Sequence, residues 1–334
     1  MVAMLLTSLA LSGVLASCTG AVASPSPVPS TGPSAAPSNP TAAPSPSPTF
    51  PLTLTDDRQN TVRIQTAPER IVSLSPAATE ILFAVGAGSK VVGKVQDIAD
   101  FPREAHSIPE VATFSGVDVE KIVALRSDLV IADASLTKPD VLQHLRATGL
   151  PVVELLAPDV NGILADIRLV GRAADADARA GDLVASMRAQ IDQISAATAG
   201  LPQPRTFYEI DATKEIYGPT DGSPLVDMIK LAGGQPITTG STTVAAIPLE
   251  RLVSADPEVI VLGDAAYGVK AADLAKRPGW SGMTAVKNGA IRPVDDIVIT
   301  RPGPRLVEGL RALALAIHPD AVLPSPAAVA SGQP

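Results

Sequence analysis

Two glutamates, Glu120 and Glu250, occupy matching places in two similar segments of the chain, residues 118–131 and 248–261. In each segment the acid is followed by a basic residue and two aliphatic residues, and a second acid opens an apolar stretch at the same distance. An acid at a helix start is favourable by itself, because it faces the positive end of the helix dipole. The repetition after 130 residues favours a second role. One exposed carboxylate on each of two similar lobes can bind a basic, symmetric partner and steer its approach.

Two arginines, Arg301 and Arg305, flank the dipeptide 303–304 at a predicted helix start. The dipole of a helix disfavours positive charge at that end. A bound anion, such as a carboxylate or a phosphate, would compensate for the two guanidinium groups. Pairing with Asp295 or Asp296 would do the same within the chain. Both interpretations stay open at this point, and Arg301 is a candidate ligand-binding residue.

A serine and a proline, Ser75 and Pro76, stand where a short apolar stretch, residues 70–74, meets a predicted helix. Serine is a good helix N-cap, and proline fits the first helical position. A strand that leads straight into a helix places free backbone N–H groups where open α/β sheets bind ligands. The two residues therefore either cap the helix only or also contact a ligand. Asp97, in the predicted loop 96–102, is a further candidate ligand-binding residue.

The composition excludes several kinds of chemistry. One Cys allows neither an internal disulfide nor a cysteine metal cluster, and the three His are far apart. The sequence has no nucleophile elbow, no phosphate-binding glycine loop and no His metal motif, so we predict neither an enzyme nor a cofactor. The net charge of −8 argues against nucleic acid as a partner.

Strand and helix signals alternate on both sides of a long helical segment. Residues 51–158 predict a β-hairpin followed by alternating strands and helices, and residues 201–318 repeat the order of strand, loop, helix and glycine stop. Between them, residues 159–200 carry apolar side chains at helical spacing, which predicts a short helix followed by a long one, joined near residues 175–178. The prediction is an α/β protein of two similar lobes, with a loose tail over residues 319–334.

The N-terminus resembles a bacterial lipoprotein signal. A short apolar run ends in Leu-Ala-Ser-Cys, which would make residues 1–17 the signal peptide and Cys18 the lipidated first residue of the mature chain. No Lys or Arg precedes the run, so a plain secretory signal or a chain start placed too far downstream are the alternatives. Residues 18–50 are rich in Pro, Ser and Ala, which predicts a disordered tether with a reach of up to ~100 Å.

Four stretches together resemble the substrate-binding proteins of ABC importers for iron complexes, haem and cobalamin: residues 68–80, 120–125, 250–253 and 301–305. The resemblance covers residues 52–318. It implies two α/β lobes joined by one long helix, a ligand cleft between the lobes, and a monomer. It also implies that one glutamate on each lobe docks into arginines of a permease dimer, and Glu120 and Glu250 fall on those positions.

The resemblance adds aromatic candidates for ligand binding. Phe114 lies in the loop where the cobalamin-binding members have an aromatic residue, and packing in the core is the alternative. Haem-binding members would use a Tyr or His as axial ligand, which makes Tyr208 and Tyr217 candidates. The sequence does not choose between a ferric siderophore, haem and a cobalamin-type corrinoid. A bare zinc or manganese ion is not expected, because clustered His are missing.

The expected function is that of a lipid-anchored, extracytoplasmic receptor that captures such a metal complex and delivers it to a permease. A surface sensor or scavenger that binds the ligand but never meets a permease is the main alternative. Only the paired glutamates separate these two hypotheses. An enzyme on the same scaffold is the third hypothesis, and it has no catalytic motif in its favour.

Overall fold

The computed structural model describes residues 49–113 and 115–325. All of them belong to one compact unit. The predicted signal peptide, Cys18, most of the predicted tether, Phe114 and the end of the tail lie outside the described residues. In the described part of the chain, no helix has the length and the apolar character that a membrane crossing needs. The predicted lobe boundaries at residues 158 and 200 stay predictions.

The described strands form a hairpin and two sheets. In chain order they are β1 (Leu52–Thr55), β2 (Thr61–Ile64), β3 (Ile71–Ser73), β4 (Val91–Val95), β5 (Glu110–Thr113), β6 (Gly116–Val117), β7 (Leu129–Asp133), β8 (Val152–Leu155), β9 (Arg205–Glu209), β10 (Gln235–Pro236), β11 (Val259–Leu262) and β12 (Ile291–Pro293). The predicted hairpin is confirmed, because β1 and β2 pair antiparallel.

Helices alternate with these strands. They are α1 (Pro76–Ala84), α2 (Val119–Ala124), α3 (Pro139–Ala147), α4 (Val160–Ala173), α5 (Asp177–Thr198), α6 (Pro224–Leu231), α7 (Leu249–Ala255), α8 (Ala271–Leu274), α9 (Thr284–Lys287), α10 (Asp296–Thr300) and α11 (Leu306–Ile317). The helices α8, α9 and α10 and the short strand β6 were not expected from the sequence. Each of them has five residues or fewer, which is too short for a periodic pattern.

The two sheets have related strand orders but different sizes. The N-terminal sheet has the order β6-β5-β4-β3-β7-β8, and the C-terminal sheet has the order β10-β9-β11-β12. All pairs within the two sheets are parallel except β5 with β6. In each sheet the strand order reverses at one point, between β3 and β7 in the first and between β9 and β11 in the second. Such a point is where parallel sheets open a crevice for ligands, so both lobes offer one.

The internal repeat extends to backbone geometry. The helices α2 and α7 each end next to a residue in the left-handed region, Arg126 with φ 50° and Asp256 with φ 45°. These two positions are 130 residues apart, like Glu120 and Glu250. A left-handed residue after a helix stops it and turns the chain. The two glutamate helices therefore end in the same way before the central strands β7 and β11.

An arginine fastens each of these helices to its sheet. The Nε of Arg70, before β3, donates to the carbonyl of Leu125 at 2.8 Å. In the other lobe the Nε of Arg205, at the start of β9, donates to the carbonyl of Ala255 at 3.1 Å. Each arginine also gives its backbone N–H to the acid that precedes the central strand, a contact of 2.9 Å in both lobes. The two lobes thus hold their glutamate helices by the same contacts.

Two helices, α4 and α5, connect the lobes. Helix α4 begins at its N-cap Asp159, whose carboxylate accepts from the N–H of Gly162 at 2.7 Å. Asp175, with φ 59°, lies in the turn between the helices. The predicted order of a short helix and a long one is confirmed, and α5 is the long helix that the resemblance implied. Helix α5 has 22 residues, about 33 Å at 1.5 Å per residue.

The largest apolar cluster of the described residues belongs to both lobes. It joins side chains of β3, β7 and β8 to those of α4 and α5 and continues to β9, β11 and α11. The opposite face of each sheet packs on a smaller cluster within its own lobe. Successive residues of a strand point to opposite faces, which is how one strand contributes to both clusters.

Candidate functional site

A cavity of about 280 Å³ lies between the two lobes. The N-terminal lobe contributes Ser75 after β3, Asp133 at the end of β7 and Leu155 at the end of β8. The C-terminal lobe contributes Ile210 after β9 and the segment 218–225. The carboxyl ends of parallel strands from both sheets therefore meet at one cavity, as their topology requires.

Ser75 is both a helix cap and a cavity residue. Its hydroxyl accepts a hydrogen bond from the N–H of Ala78 at 3.1 Å, and the residue lines the cavity. Pro76 occupies the first turn of α1, but Ala77 lies against the cavity in its place. The two interpretations of Ser75 are thus compatible, and Pro76 acts on the ligand site only through the position of α1.

Four charged side chains join the lobes at one side of the cavity; we call them the interlobe ion-pair cluster. Arg301 binds Asp97 through both terminal nitrogens, at 2.8 and 3.0 Å, and Glu80 at 2.6 Å. Arg305 binds the same Glu80 at 2.9 and 3.2 Å. The guanidinium carbon of Arg305 also lies 4.0 Å from the ring centre of Phe101. Glu80, Asp97 and Phe101 come from the N-terminal lobe, and the arginines come from the C-terminal lobe.

The cluster corrects the interpretation of the two arginines. Neither Asp295 nor Asp296 pairs with them among the described residues; the partners are acids of the other lobe. Arg301 follows the short helix α10, and Arg305 is the N-cap of α11, so only Arg305 stands at a helix start. This pairing could not be predicted from the sequence, because Glu80 and Arg301 are 221 positions apart.

The cluster also changes proton affinities. Burial would raise the pKa of Asp97, but the hydrogen bond and the charge of Arg301 outweigh it, so the pKa is below the ordinary value. Burial would lower the pKa of Arg301, yet its hydrogen bonds to Asp97 and Glu80 raise it. Both groups are therefore charged at neutral pH. Asp97 and Arg301 thus form an ion pair with each other, so the guanidinium group of Arg301 is not free to bind a ligand.

The lining of the cavity also contains acids. Asp133 and Asp166 line it, and Asp57 lies beside Asp166. Burial and the neighbouring carboxyl of Asp57 raise the pKa of Asp166 to about 9. Sequence reasoning missed all three acids. A signal for Asp166 was present, because it lies three residues after Ile163 and four before Val170, on the apolar face of α4.

The structure gives a different result for each tyrosine considered as a ligand-binding residue. The prediction for Tyr208 needs correction, because its side chain is fully buried and its hydroxyl donates to Asp296 at 2.8 Å. Burial raises the pKa of its phenol, which works against its use as a phenolate ligand. Tyr217 lies next to the cavity residue Gly218, but its hydroxyl donates to Glu215 at 3.0 Å. Tyr267 is exposed. Among the described residues that line the cavity, none is a tyrosine, a histidine or a cysteine.

The glutamates lie outside the cavity. Glu120 and Glu250 are exposed, each in the first turn of its short helix. The basic residue after each glutamate is turned to a backbone carbonyl, Lys121 to Glu110 at 2.6 Å and Arg251 to Thr238 at 3.3 Å. The carboxylates are therefore not neutralised by the bases that follow them in sequence.

An exposed valine accompanies each glutamate. Val123 is 47% exposed and Val253 is 39% exposed. Each lies three residues after its glutamate, on the same side of a helix. We call the two glutamates and the two valines the paired Glu/Val surface. An exposed apolar side chain beside a charge is a common arrangement at a protein interface.

Two α/β lobes whose strand-order reversals face one shared cavity define a ligand-binding protein of the two-lobed kind. The chain belongs to the periplasmic binding protein family, whose model matches residues 71–297.

Individual relatives have the same character. The chain is 33% identical over 277 residues to YvrC of Bacillus subtilis, an ABC transporter substrate-binding lipoprotein, covering 81% of this chain and 87% of that one. It is 28% identical over 283 residues to a cobalamin-binding protein of Halobacterium salinarum, covering 81% and 75%. Among solved structures, the periplasmic heme-binding protein RhuT of Roseiflexus sp. RS-1 superposes with a TM-score of 0.66 at 26% identity, over 75% of this chain and 98% of that one.

Proposed function

We propose that this protein is the extracytoplasmic substrate-binding component of an ABC importer, and that its cargo is a cobalamin-type corrinoid. The observation that carries the choice of cargo is the charge of the cavity. Its described lining contains Asp133 and Asp166, and its one guanidinium, that of Arg301, is already bound by two acids.

An anionic cargo fits this lining poorly. Haem carries two carboxylates and many ferric siderophores are anionic, so both would meet like charge without a free cation to pair with. Haem iron also takes axial ligands from His, Cys, Met or Tyr, and Met228 is the one such residue among the described cavity residues. Its side chain is buried.

A corrinoid fits better because most of its side chains end in uncharged carboxamides and its metal carries its own ligands. The one phosphodiester of cyanocobalamin is balanced by the charge of its cobalt–corrin centre, so the molecule is neutral overall. Such a molecule is larger than a cavity of about 280 Å³ and must also contact the rim. Two exposed apolar residues are next in sequence to cavity residues and are candidates for such contacts: Leu136 follows Ser135, and Val244 precedes Ala245. The cobalamin-binding relative supports the same choice.

Membrane attachment and delivery complete the proposal. The Leu-Ala-Ser-Cys sequence supports lipidation of Cys18, and the relative YvrC is described as a lipoprotein. Several acyl chains on one cysteine anchor a protein stably, whereas one chain alone does not. The paired Glu/Val surface supports docking on a two-fold symmetric permease with one glutamate per subunit. A sensor that never meets a permease would not need the same docking surface on both lobes.

Calorimetric titration of the Cys18→Ser chain with cyanocobalamin, haemin and a ferric hydroxamate siderophore tests the cargo. We expect tight binding of cyanocobalamin and at least tenfold weaker binding of the other two. Thr220→Trp should abolish binding, because Thr220 lines the cavity. The control Thr61→Trp, on the exposed side of β2, should bind as the parent does. Preference for haemin or the siderophore would refute the assignment.

A further inference from the structure

One carboxyl in the cavity has an oxygen without a partner. Asp166 is 4% exposed, it lines the cavity, and its Oδ1 finds no hydrogen-bond partner among the described residues. A buried polar atom normally has such a partner, because leaving it without one is costly. Helix α4 cannot supply a partner, since the residues of its buried face around this position, Ile163, Ile167 and Val170, are aliphatic.

The two neighbouring acids are fixed by their own loops. The Oδ2 of Asp57, in the turn between β1 and β2, accepts from the N–H of Leu156 at 2.6 Å. The Oδ1 of Asp133 accepts from the N–H and the hydroxyl of Ser135, at 2.7 and 2.5 Å. The carboxyl of Asp57 lies near that of Asp166, and together with burial it raises the pKa of Asp166. The protonated form of Asp166 is therefore favoured at neutral pH.

Among the described residues, no cation forms an ion pair with Asp57 or Asp166. Arg146, from α3, is bound by Glu154 and lies 3.9 Å from Asp56. Arg301 is bound by Glu80 and Asp97. The charged groups that act on Asp166 are thus Asp57 and Asp133, and both favour its protonated form.

We propose that the carboxyl pair Asp57–Asp166 is a recognition site for an uncharged N–H donor of the ligand, with the Oδ1 of Asp166 as the acceptor. This inference rests on the proposed function and deepens it: the ligand must present carboxamide groups toward α4. A carboxamide occupies the free oxygen without changing the charge of the pair. An ammonium group would have to displace the proton of Asp166, and a carboxylate would meet two acids.

Matched ligand pairs test the inference. The probes are cyanocobalamin and its monocarboxylic acids, in which one carboxamide is hydrolysed. At pH 7 we expect at least one of these acids to bind tenfold or more weakly than cyanocobalamin. Equal affinity of all the acids and the parent amide would overturn the inference.

Variants locate the effect at Asp166. Asp166→Leu should weaken cyanocobalamin binding at least tenfold, and Asp166→Asn should recover most of that loss, because asparagine keeps the acceptor oxygen and adds a donor toward Asp57. The control Asp192→Leu, exposed on α5, should bind as the parent does. Wild-type affinity in Asp166→Leu would contradict the inference.

Two further measurements separate the inference from the choice of cargo. Carbon-13 NMR of the carboxyls in the whole ligand-free chain should show one group that titrates above pH 7 and is missing in Asp166→Asn. Titration of Asp166 below pH 5 would overturn its protonation at neutral pH. If cyanocobalamin fails to bind and haemin binds, the cargo is wrong, and the inference then requires haemin diamide to bind more tightly than haemin. The reverse order, or binding of neither, would overturn it.

Discussion

Arg301 of the C-terminal lobe binds Asp97 of the N-terminal lobe through both terminal nitrogens of its guanidinium group, at 2.8 and 3.0 Å. Glu80 lies under the same guanidinium and under that of Arg305. Two-pronged pairing of arginine with a carboxylate fixes direction as well as distance. The interlobe ion-pair cluster therefore sets the separation of the lobes at one side of the cavity.

Removing the charge of Glu80 should destabilise the protein strongly. Glu80→Gln leaves two partly buried guanidinium groups with one carboxylate, and loss of one partner from a buried ion pair costs about 3–5 kcal/mol. Urea unfolding measures the effect. The control is Asp273→Asn, which removes an exposed pair with Lys276 at 2.8 Å and should change stability little, because solvent screens such a pair. Equal effects of the two variants would contradict a structural role of the cluster.

Acid should weaken the same contact. The pKa of Asp97 is lower in the folded chain than its ordinary value, so the unfolded chain binds this proton more readily. The stabilisation by Asp97 is then fully present above the unfolded pKa of about 3.9, and it is lost as the pH falls through the folded pKa. Asp97→Asn should remove this part of the pH dependence. The free energy of unfolding between pH 3 and pH 6 measures it, and parallel curves for parent and variant would refute the assignment.

Asp166 should affect the pH dependence of stability in the opposite direction to Asp97. Its pKa is raised to about 9, so the folded chain keeps a proton that the unfolded chain releases above about pH 4. Stability from this group is therefore present at low pH and is lost as the pH rises toward 9, by at most about 1.4 kcal/mol per pH unit. Asp166→Asn should become more stable relative to the parent as the pH rises. Thermal unfolding at pH 5, 7 and 9 measures the trend, and a constant difference would contradict it.

The two glutamates should matter for transport and not for ligand affinity. Glu120→Ala with Glu250→Ala removes exposed carboxylates outside the cavity, so cyanocobalamin affinity should change less than twofold while uptake by cells falls at least tenfold. Asp140→Ala is the control, because Asp140 is also an exposed acid in the first turn of a helix, α3. Full uptake in the double variant would favour the sensor hypothesis.

The two valines extend this prediction to apolar contacts. Val123→Ser with Val253→Ser keeps both charges but removes apolar area that is exposed in the free protein. We expect at least threefold lower uptake, with unchanged ligand affinity and unchanged stability. The control Leu136→Ser alters an exposed apolar residue next in sequence to a cavity residue and should change ligand affinity instead. Normal uptake in the valine variant would limit the docking surface to the glutamates.

Local signals predicted much of this fold correctly. The N-cap Ser75 with Pro76 marked the start of α1, and the pattern after residue 159 marked the helix pair α4 and α5. The matching glutamates indicated two related lobes, because their helices lie before the central strands of both sheets. Each of these features depends on residues that are close in sequence. Helix caps, turns and periodicity depend on a few neighbouring residues, so they can be recognised in the sequence.

The contacts within the cavity were not predictable in this way. The sequence left a bound anion or the nearby Asp295 and Asp296 as partners of Arg301, whereas its partners Glu80 and Asp97 are 221 and 204 positions away. Tyr208 was a ligand candidate by residue type alone, and only the packing of β9 shows that it is buried. Asp166 was not predicted, because the role of an acid within an apolar helix face cannot be inferred until the cavity beside it is known.

The apolar cluster shared by the two lobes limits how far the chain is modular. The sequence repeat suggests two interchangeable halves. Yet only one face of each sheet packs on a cluster within its own lobe. The other face of both sheets packs on the cluster that α4, α5 and α11 complete. A single lobe made alone would leave that face in water, at a cost in proportion to the apolar area exposed. The two halves therefore depend on each other to fold, however closely their sequences match.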